Sequence, residues 1–199
     1  IKPANILVGS DGKPKLLDFG IATLAQEITD GAATQALVTP NYAAPEQLVG
    51  RGVTTATDVH GLGATLYALL TGDSPWRLDT VSLPVAIDRV LNADAQPPST
   101  QAEAKAAPGI DANAVKGDLD AICAKALRKD PAQRYQTVTG FANDIRRHLA
   151  HEAVSARSGS RRYAMSRYIR RHRWGVAATA GFVGLLIAGL TAATWLGSK

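Results

Sequence analysis

Two short apolar runs, Ile6-Leu7-Val8 and Lys15-Leu16-Leu17, flank the polar stretch Gly9-Ser10-Asp11-Gly12-Lys13-Pro14. Gly, Asp and Pro between two such runs predict a β-hairpin with a long polar turn. Residues 21–38 are rich in Ala, Thr and Gln, show no periodicity and read as a loop. From Asp58 the period becomes helical: Val59, Leu62, Leu66, Leu69 and Leu70 recur at helical spacing until Gly72 stops the run. Asp58 reads as the cap of that helix, and His60 as a core or interface residue rather than a ligand. A shorter helix is predicted over residues 81–91. Residues 96–115 hold Pro, Ala and Gln with little pattern and read as an exposed loop. Asp118 is then expected to cap a helix with Leu119, Ile122, Cys123, Ala126 and Leu127 on its inner face. Pro131 disfavours helical geometry at Asp130 and ends it. A last amphipathic helix is predicted over residues 137–152, with Val138, Phe141, Ile145 and Leu149 on one face. Arg146, Arg147 and His148 near its end suit the helix dipole.

The pattern changes again from Trp174 to Ser198, where no charged residue occurs. Such a run is long enough to span a hydrocarbon core about 30 Å thick, and Trp174 and Trp195 bracket it as interface aromatics do. Charge sharpens the picture. The net charge is +5, yet 14 of the 22 Lys and Arg and all 17 acids precede Ala153, leaving a net of −3 there. Arg157, Arg161, Arg162, Arg167, Arg170, Arg171 and Arg173 precede the span, and only Lys199 follows it. The positive-inside rule predicts a single-pass protein of the cell membrane, cytoplasmic before Trp174, with its carboxy terminus on the outer side. Beside a span, the arginines suit anionic lipid headgroups better than nucleic acid. Ala180, Gly184, Ala188 and Ala192 fall four apart, a small-residue stripe that suits a homodimer of spans. A single cysteine, Cys123, excludes an internal disulfide and fits a reducing compartment.

Candidate chemistry gathers at the hairpin. Its paired strands bring Lys2 and Asn5, before the first run, near Asp18, after the second. A carboxylate and an amide oxygen suit Mg²⁺, and an ammonium suits a phosphate.

The stretch Lys2-Pro3-Ala4-Asn5-Ile6-Leu7, followed by Leu16-Leu17-Asp18-Phe19-Gly20, resembles the catalytic loop and the Asp-Phe-Gly motif of protein kinases. Thr39-Pro40-Asn41-Tyr42-Ala43-Ala44-Pro45-Glu46 resembles the kinase peptide-binding segment ending in Ala-Pro-Glu, with Val38 where the family usually has Gly. The helix of Asp58 resembles the central buried helix of the kinase large lobe, with His60 in place of the usual aromatic. Asp130-Pro131-Ala132-Gln133-Arg134 resembles the Asp-Pro-x-x-Arg motif. The five motifs stand in family order.

The resemblance implies a mainly α fold: a kinase-like large (carboxy-terminal) lobe with a short β-hairpin over residues 1–152. A basic juxtamembrane segment over 153–173 and a transmembrane helix over 174–197 complete the expected organisation. It also implies ATP and Mg²⁺ as cofactors and a protein substrate with a Ser or Thr acceptor, as in bacterial receptor-type kinases. By resemblance, Asp18 chelates the Mg²⁺ that bridges the ATP phosphates, Asn5 holds a second Mg²⁺ and Lys2 neutralises the γ-phosphate. Thr39 contacts the catalytic Asp and Lys2 and favours Ser/Thr over Tyr. Asp58 accepts backbone N–H bonds from the catalytic loop, Arg134 pairs with Glu46, and Thr29 or Thr34 is the expected phosphosite. Counting back from Asn5 puts the catalytic Asp immediately before Ile1. The chain therefore reads as a fragment of a membrane-anchored Ser/Thr kinase, beginning inside the catalytic loop and inactive alone. The alternative is a non-catalytic membrane scaffold of pseudokinase type.

Overall fold

The structure, a computed structural model, describes residues 1–17, 40–78, 80–105, 111–157, 163, 165–167 and 184. It divides into two compact units, Ile1–Arg146 and Arg147–Lys199.

The first unit is mainly helical with one two-stranded antiparallel sheet. Strands β1 (Ile6–Val8) and β2 (Pro14–Leu16) pair with Ile6 opposite Leu16, Leu7 opposite Lys15 and Val8 opposite Pro14. The turn is closed by Gly9 N–H to the Lys13 carbonyl at 3.0 Å and Gly12 N–H to the Gly9 carbonyl at 2.9 Å. The Asp11 carboxylate accepts from Lys13 N–H at 3.1 Å. Gly12 has φ 72°, a conformation in which its missing Cβ matters.

Helix α1 (Pro45–Leu48) leads into the long α2 (Thr55–Thr71). Thr54 occupies the N-cap position of α2, and its N–H is taken by the Thr57 hydroxyl at 3.0 Å. The helix thus begins before Asp58, which lies exposed in its first turn rather than capping it. There its charge still faces the positive end of the helix dipole. Gly72, at φ 69°, ends α2 by donating its N–H to the Ala68 carbonyl at 2.8 Å.

The leucine stripe is not the innermost face of α2. Leu62, Leu66 and Leu70 are half-buried and Leu69 is 69% exposed. The most buried positions are Val59, His60, Ala64, Tyr67 and Thr71. Small residues win where helices approach most closely: a Cβ on Gly63 would lie 2.6 Å from the Ala126 Cβ.

Helices α3 (Leu83–Asn92), α4 (Pro98–Lys105), α5 (Ala112–Val115), α6 (Asp118–Ala126) and α7 (Val138–Leu149) follow. The core gathers Ala64 and Tyr67 of α2, Trp76 and Leu78 of the linker, Ala86 and Val90 of α3, and Cys123 and Leu127. His60 is fully buried and stacks on Trp76 with ring centroids 5.6 Å apart. The Trp76 indole N–H donates to the Ala93 carbonyl at 2.9 Å, and the Lys129 ammonium lies 4.4 Å from the Trp76 ring centroid.

Three further departures from the sequence reading have physical causes. Residues 98–105 form a helix, not a loop, because polar anchors add to the buried Pro98 and Ala102 where no hydrophobic period shows. Asp120 accepts from the Ser99 N–H at 2.9 Å and the Ser99 hydroxyl at 2.8 Å, and Gln101 donates to Asp73 at 3.3 Å. The N-cap of α6 is Gly117 at φ 98°, so Asp118 is the first helical residue and is 1% exposed. On α7, Val138 and Leu149 are exposed and the buried residues are Phe141 and Asp144. Tyr135 meets Phe141 edge-on and donates its hydroxyl to Asp144 at 2.9 Å.

In the second unit, the 3-10 turn Ser155–Arg157 follows the buried Val154, whose N–H donates to the Tyr163 hydroxyl at 3.1 Å. The guanidinium groups of Arg157 and Arg167 lie 4.2 and 5.7 Å from the Tyr163 ring centroid. Among the described residues no helix is long and apolar enough to cross a membrane. The predicted span at 174–197 falls, apart from Gly184, outside the described residues.

Candidate functional site

The 3-10 turn Pro3–Asn5 precedes β1, and the Asn5 N–H donates to the Lys2 carbonyl at 3.0 Å. Proline at the start of this turn supplies its fixed φ where no donor is needed. The Leu17 N–H in turn donates to the Asn5 carbonyl at 2.9 Å. One hydrogen bond therefore closes the hairpin mouth between Asn5 and the residue that precedes Asp18 in the chain. Lys2 and Asn5 are both half-buried there. The Asn5 side-chain amide takes no hydrogen bond among the described residues, so its oxygen is available to a ligand. Asp18, Thr29, Thr34 and Thr39 lie outside the described residues.

The backbone start of the chain rests on α2. A Cβ on Gly61 would lie 3.0 Å from the Ile1 carbonyl oxygen and 3.2 Å from its nitrogen. Gly61 stands three residues after Asp58, on the same face of the helix. Asp58 is exposed and takes no hydrogen bond among the described residues.

Glu46 and Arg134 meet in a buried bidentate pair, Nη1 to Oε1 at 2.7 Å and Nη2 to Oε2 at 2.8 Å. The side chains are 6% and 0% exposed. Every guanidinium N–H has an acceptor. The rest go to the carbonyls of Arg128 at 2.7 Å, Ala56 at 2.9 Å and Lys129 at 3.1 Å. Glu46 also accepts from the Thr57 hydroxyl at 2.8 Å. Burial pushes the Glu46 carboxyl up, but the bonds from Arg134 and Thr57 more than offset it and hold the pKa at about 2. One arginine thus fastens α1, the first turn of α2 and the exit of α6.

A residue that the sequence reading passed over anchors the segment after Thr39. Asn41, in the 3-10 turn Pro40–Tyr42, accepts from the Ser74 hydroxyl at 3.2 Å and the Leu78 N–H at 3.3 Å. Ala43 and Ala44 behind it are buried. Nothing local signals this role, because both donors lie beyond α2.

A family model described as the protein kinase domain matches residues 1–152. The chain belongs to the protein kinase domain family. Among similar proteins is the serine/threonine-protein kinase PknB of Mycobacterium leprae (strain TN), 37% identical over 147 residues covering 73% of this chain and 22% of that protein. PknB of Mycobacterium tuberculosis (strain ATCC 25618 / H37Rv) is 37% identical over 148 residues, with the same coverage. The probable PknB of Bifidobacterium longum (strain NCC 2705) is 38% identical over 150 residues, 73% of this chain and 20% of that protein. The chain spans about a fifth of the length of these relatives. In the sequence the hairpin joins the Lys-Pro-x-Asn motif to Asp-Phe-Gly, and the Glu46–Arg134 pair ties Ala-Pro-Glu to Asp-Pro-x-x-Arg. Among the described residues no three His, Cys, Asp or Glu side chains cluster as a metal site. Of the residues expected to hold a metal–phosphate group, Lys2 and Asn5 are described here, linked by the Asn5 N–H to Lys2 carbonyl bond at the hairpin mouth.

Proposed function

We propose that this chain is the large-lobe part of a membrane-anchored Ser/Thr protein kinase that moves the γ-phosphate of ATP to a protein hydroxyl. The observation that carries the reading is the Leu17–Asn5 hydrogen bond at the hairpin mouth. It tethers the chain entering Asp18 to the residue that offers an uncommitted amide oxygen. Phosphoryl transfer needs positioning and charge neutralisation more than covalent chemistry by the protein. Lys2 neutralises the moving phosphoryl group, Asn5 and Asp18 hold Mg²⁺, and Thr39 with the Pro40–Tyr42 turn presents the acceptor hydroxyl. Bound Mg²⁺ supplies compensation for the phosphate charge. The hydroxyl proton passes to a carboxylate that the family places one residue before Ile1. Asp58 steadies the backbone of that loop, a role supported by the exposed Asp58 carboxylate and by Ile1 lying against Gly61 of the same helix face. Thr29 or Thr34 serves as a phosphosite.

The anchor is the uncharged stretch at 174–197, crossing the cell membrane once, with the kinase part cytoplasmic and the arginines of 153–173 against anionic lipid. The small-residue stripe through Gly184 supports pairing of two spans.

The test is Mg²⁺-ATP phosphotransfer by the protein isolated from its source membrane, against the same protein carrying Asp18→Asn. The expected result is phosphoserine or phosphothreonine on a protein substrate and loss of at least 10³-fold in rate for the variant, with the purified chain 1–199 inactive. Transfer unaffected by Asp18→Asn would overturn the reading. No transfer by the isolated protein, with Asn5 and Asp18 intact, would hand the function to the scaffold alternative.

A further inference from the structure

The linker between α2 and α3 turns at Arg77, whose φ is 49°. Among the described residues, only Arg77 and His151 combine a positive φ with a side chain. Glycine adopts this conformation freely and arginine does not, so the turn carries strain that its surroundings must hold. They hold it from both sides. Trp76 and Leu78, which flank Arg77, both belong to the hydrophobic core. The Trp76 and Arg77 carbonyls accept from the Arg89 guanidinium of α3 at 3.5 and 3.4 Å, and the Leu78 N–H donates to the Asn41 side chain at 3.3 Å.

The arginine displayed there is only partly committed. Its Nε lies 3.1 Å from the Asp73 carboxylate. That carboxylate is itself fixed, accepting from the Ser74 N–H at 3.0 Å and from Gln101 at 3.3 Å. The Arg77 side chain remains 53% exposed, and its Nη1 and Nη2 groups donate no hydrogen bond among the described residues. A partly exposed ion pair of this kind adds little stability. It does not account for arginine at a position where glycine would relieve the strain. A guanidinium engaged through Nε, with its Nη donors open, suits a further carboxylate, whose geometry its planar fork matches.

The location gives that carboxylate a source. Leu78, the next residue, is bonded to Asn41, which stands two residues after Thr39 in the chain. On the function proposed above, Thr39 and the Pro40–Tyr42 turn present the acceptor hydroxyl. Arg77 therefore adjoins the segment along which a protein substrate is laid.

We propose, resting on that reading, that Arg77 is a specificity-determining residue: its open guanidinium donors receive an acidic side chain of the protein substrate near the Ser or Thr acceptor. The pinned backbone and the Asp73 contact restrict the side chain before binding, so less freedom is lost when the substrate arrives.

The test uses the protein isolated from its source membrane, with Mg²⁺-ATP and a set of Thr-acceptor peptides. A single Glu is moved residue by residue across both flanks of the Thr, against a parent peptide with Gln throughout. At one position Glu is expected to lower KM about tenfold relative to Gln, with kcat shared by the two peptides. Arg77→Gly removes that advantage, Arg77→Lys retains part of it, and Arg77→Glu transfers the preference to a peptide with Lys at the same position. The urea midpoint of Arg77→Gly should not fall below that of the wild type, because glycine takes φ 49° without strain; a purely structural role for the arginine would lower it. A Glu advantage that survives Arg77→Gly overturns the proposal, and so does a wild type indifferent to Glu at every position. In both cases transfer to the Gln peptide leaves the kinase reading standing, whereas no transfer to any peptide by the wild type overturns both.

Discussion

Replacing either partner of the Glu46–Arg134 pair should cost far more than a surface ion pair. With side chains 6% and 0% exposed, the pair falls under the rule for buried charges, where removing one partner costs about 3–5 kcal/mol. The carboxylate gives an independent figure. Its pKa is lowered from 4.5 to about 2, and at 1.36 kcal/mol per unit that is about 3 kcal/mol of pH-linked stability. The sign follows from the depressed value: the contribution is fully present above pH 4.5 and is lost as pH falls towards 2. The two single variants are not equivalent. Glu46→Leu leaves Arg134 its three carbonyl acceptors, whereas Arg134→Met orphans those carbonyls as well as Glu46. Arg134→Met should therefore be the worse of the two, and the double variant should be little worse than Arg134→Met alone. The assay is urea unfolding of the full chain in a non-ionic detergent, followed by far-UV circular dichroism, for all four members of the cycle. A coupling above about 2 kcal/mol at pH 7 is expected, and the gap between wild type and Glu46→Leu should narrow as pH drops from 4.5 to 2. A coupling below about 0.5 kcal/mol, or a gap that does not change with pH, would refute the reasoning.

His60 is buried with neither ring nitrogen partnered, and burial first, then the nearby Arg134, lower its pKa from 6.5 to about 3. The unfolded chain takes up a proton that the folded chain refuses, so stability falls as pH drops below 6.5, by about 2 kcal/mol at pH 5. His60→Phe should remove that slope in urea midpoints and stabilise at pH 7 by about 1 kcal/mol; an unchanged slope would show that other groups set it. Asn41→Ala strips the Ser74 hydroxyl and the Leu78 N–H of their acceptor and should cost about 1–3 kcal/mol, against a near-neutral result if water replaces the amide. Ser99→Ala should loosen the start of α4, seen as faster amide exchange over residues 99–105, while leaving exchange in α7 unchanged.

The parts of this fold that were legible in the sequence are those whose signal is local. The hairpin announced itself through Gly and Pro between two short, largely apolar runs, and α2 through its leucine period and terminal Gly72. The Glu46–Arg134 pair became readable only through a family motif, since nothing near either residue names the other. Much of what the pattern hid is packing by polar, small or aromatic side chains outside the leucine period, and contacts made far along the chain. Helix α4 is held by Ser99 and Gln101 on acidic partners, so a search for hydrophobic period finds nothing there. The leucines of α2 drew attention to a half-buried face, while its innermost positions are His60, Ala64, Tyr67 and Thr71. Asp118 reads as a cap by residue type, but Gly117 takes that place because it tolerates φ 98°. Asn41 was invisible because its donors, Ser74 and Leu78, arrive from the far end of α2.

The two glycines of α2 carry different consequences for how this helix can vary among related chains. Opposite Gly63 stands a side chain: an added Cβ would lie 2.6 Å from the Ala126 Cβ, but 3.6 Å from the Ala126 backbone. Gly63→Ala can therefore be tolerated if position 126 loses its methyl, and the two sites are free to trade one carbon between them. Opposite Gly61 stands backbone, the carbonyl oxygen of Ile1 at 3.0 Å and its nitrogen at 3.2 Å. No substitution elsewhere can shrink a peptide group. A side chain at position 61 thus requires the backbone of residue 1 to give by a few tenths of an ångström, while one at position 63 requires its neighbour to lose a carbon.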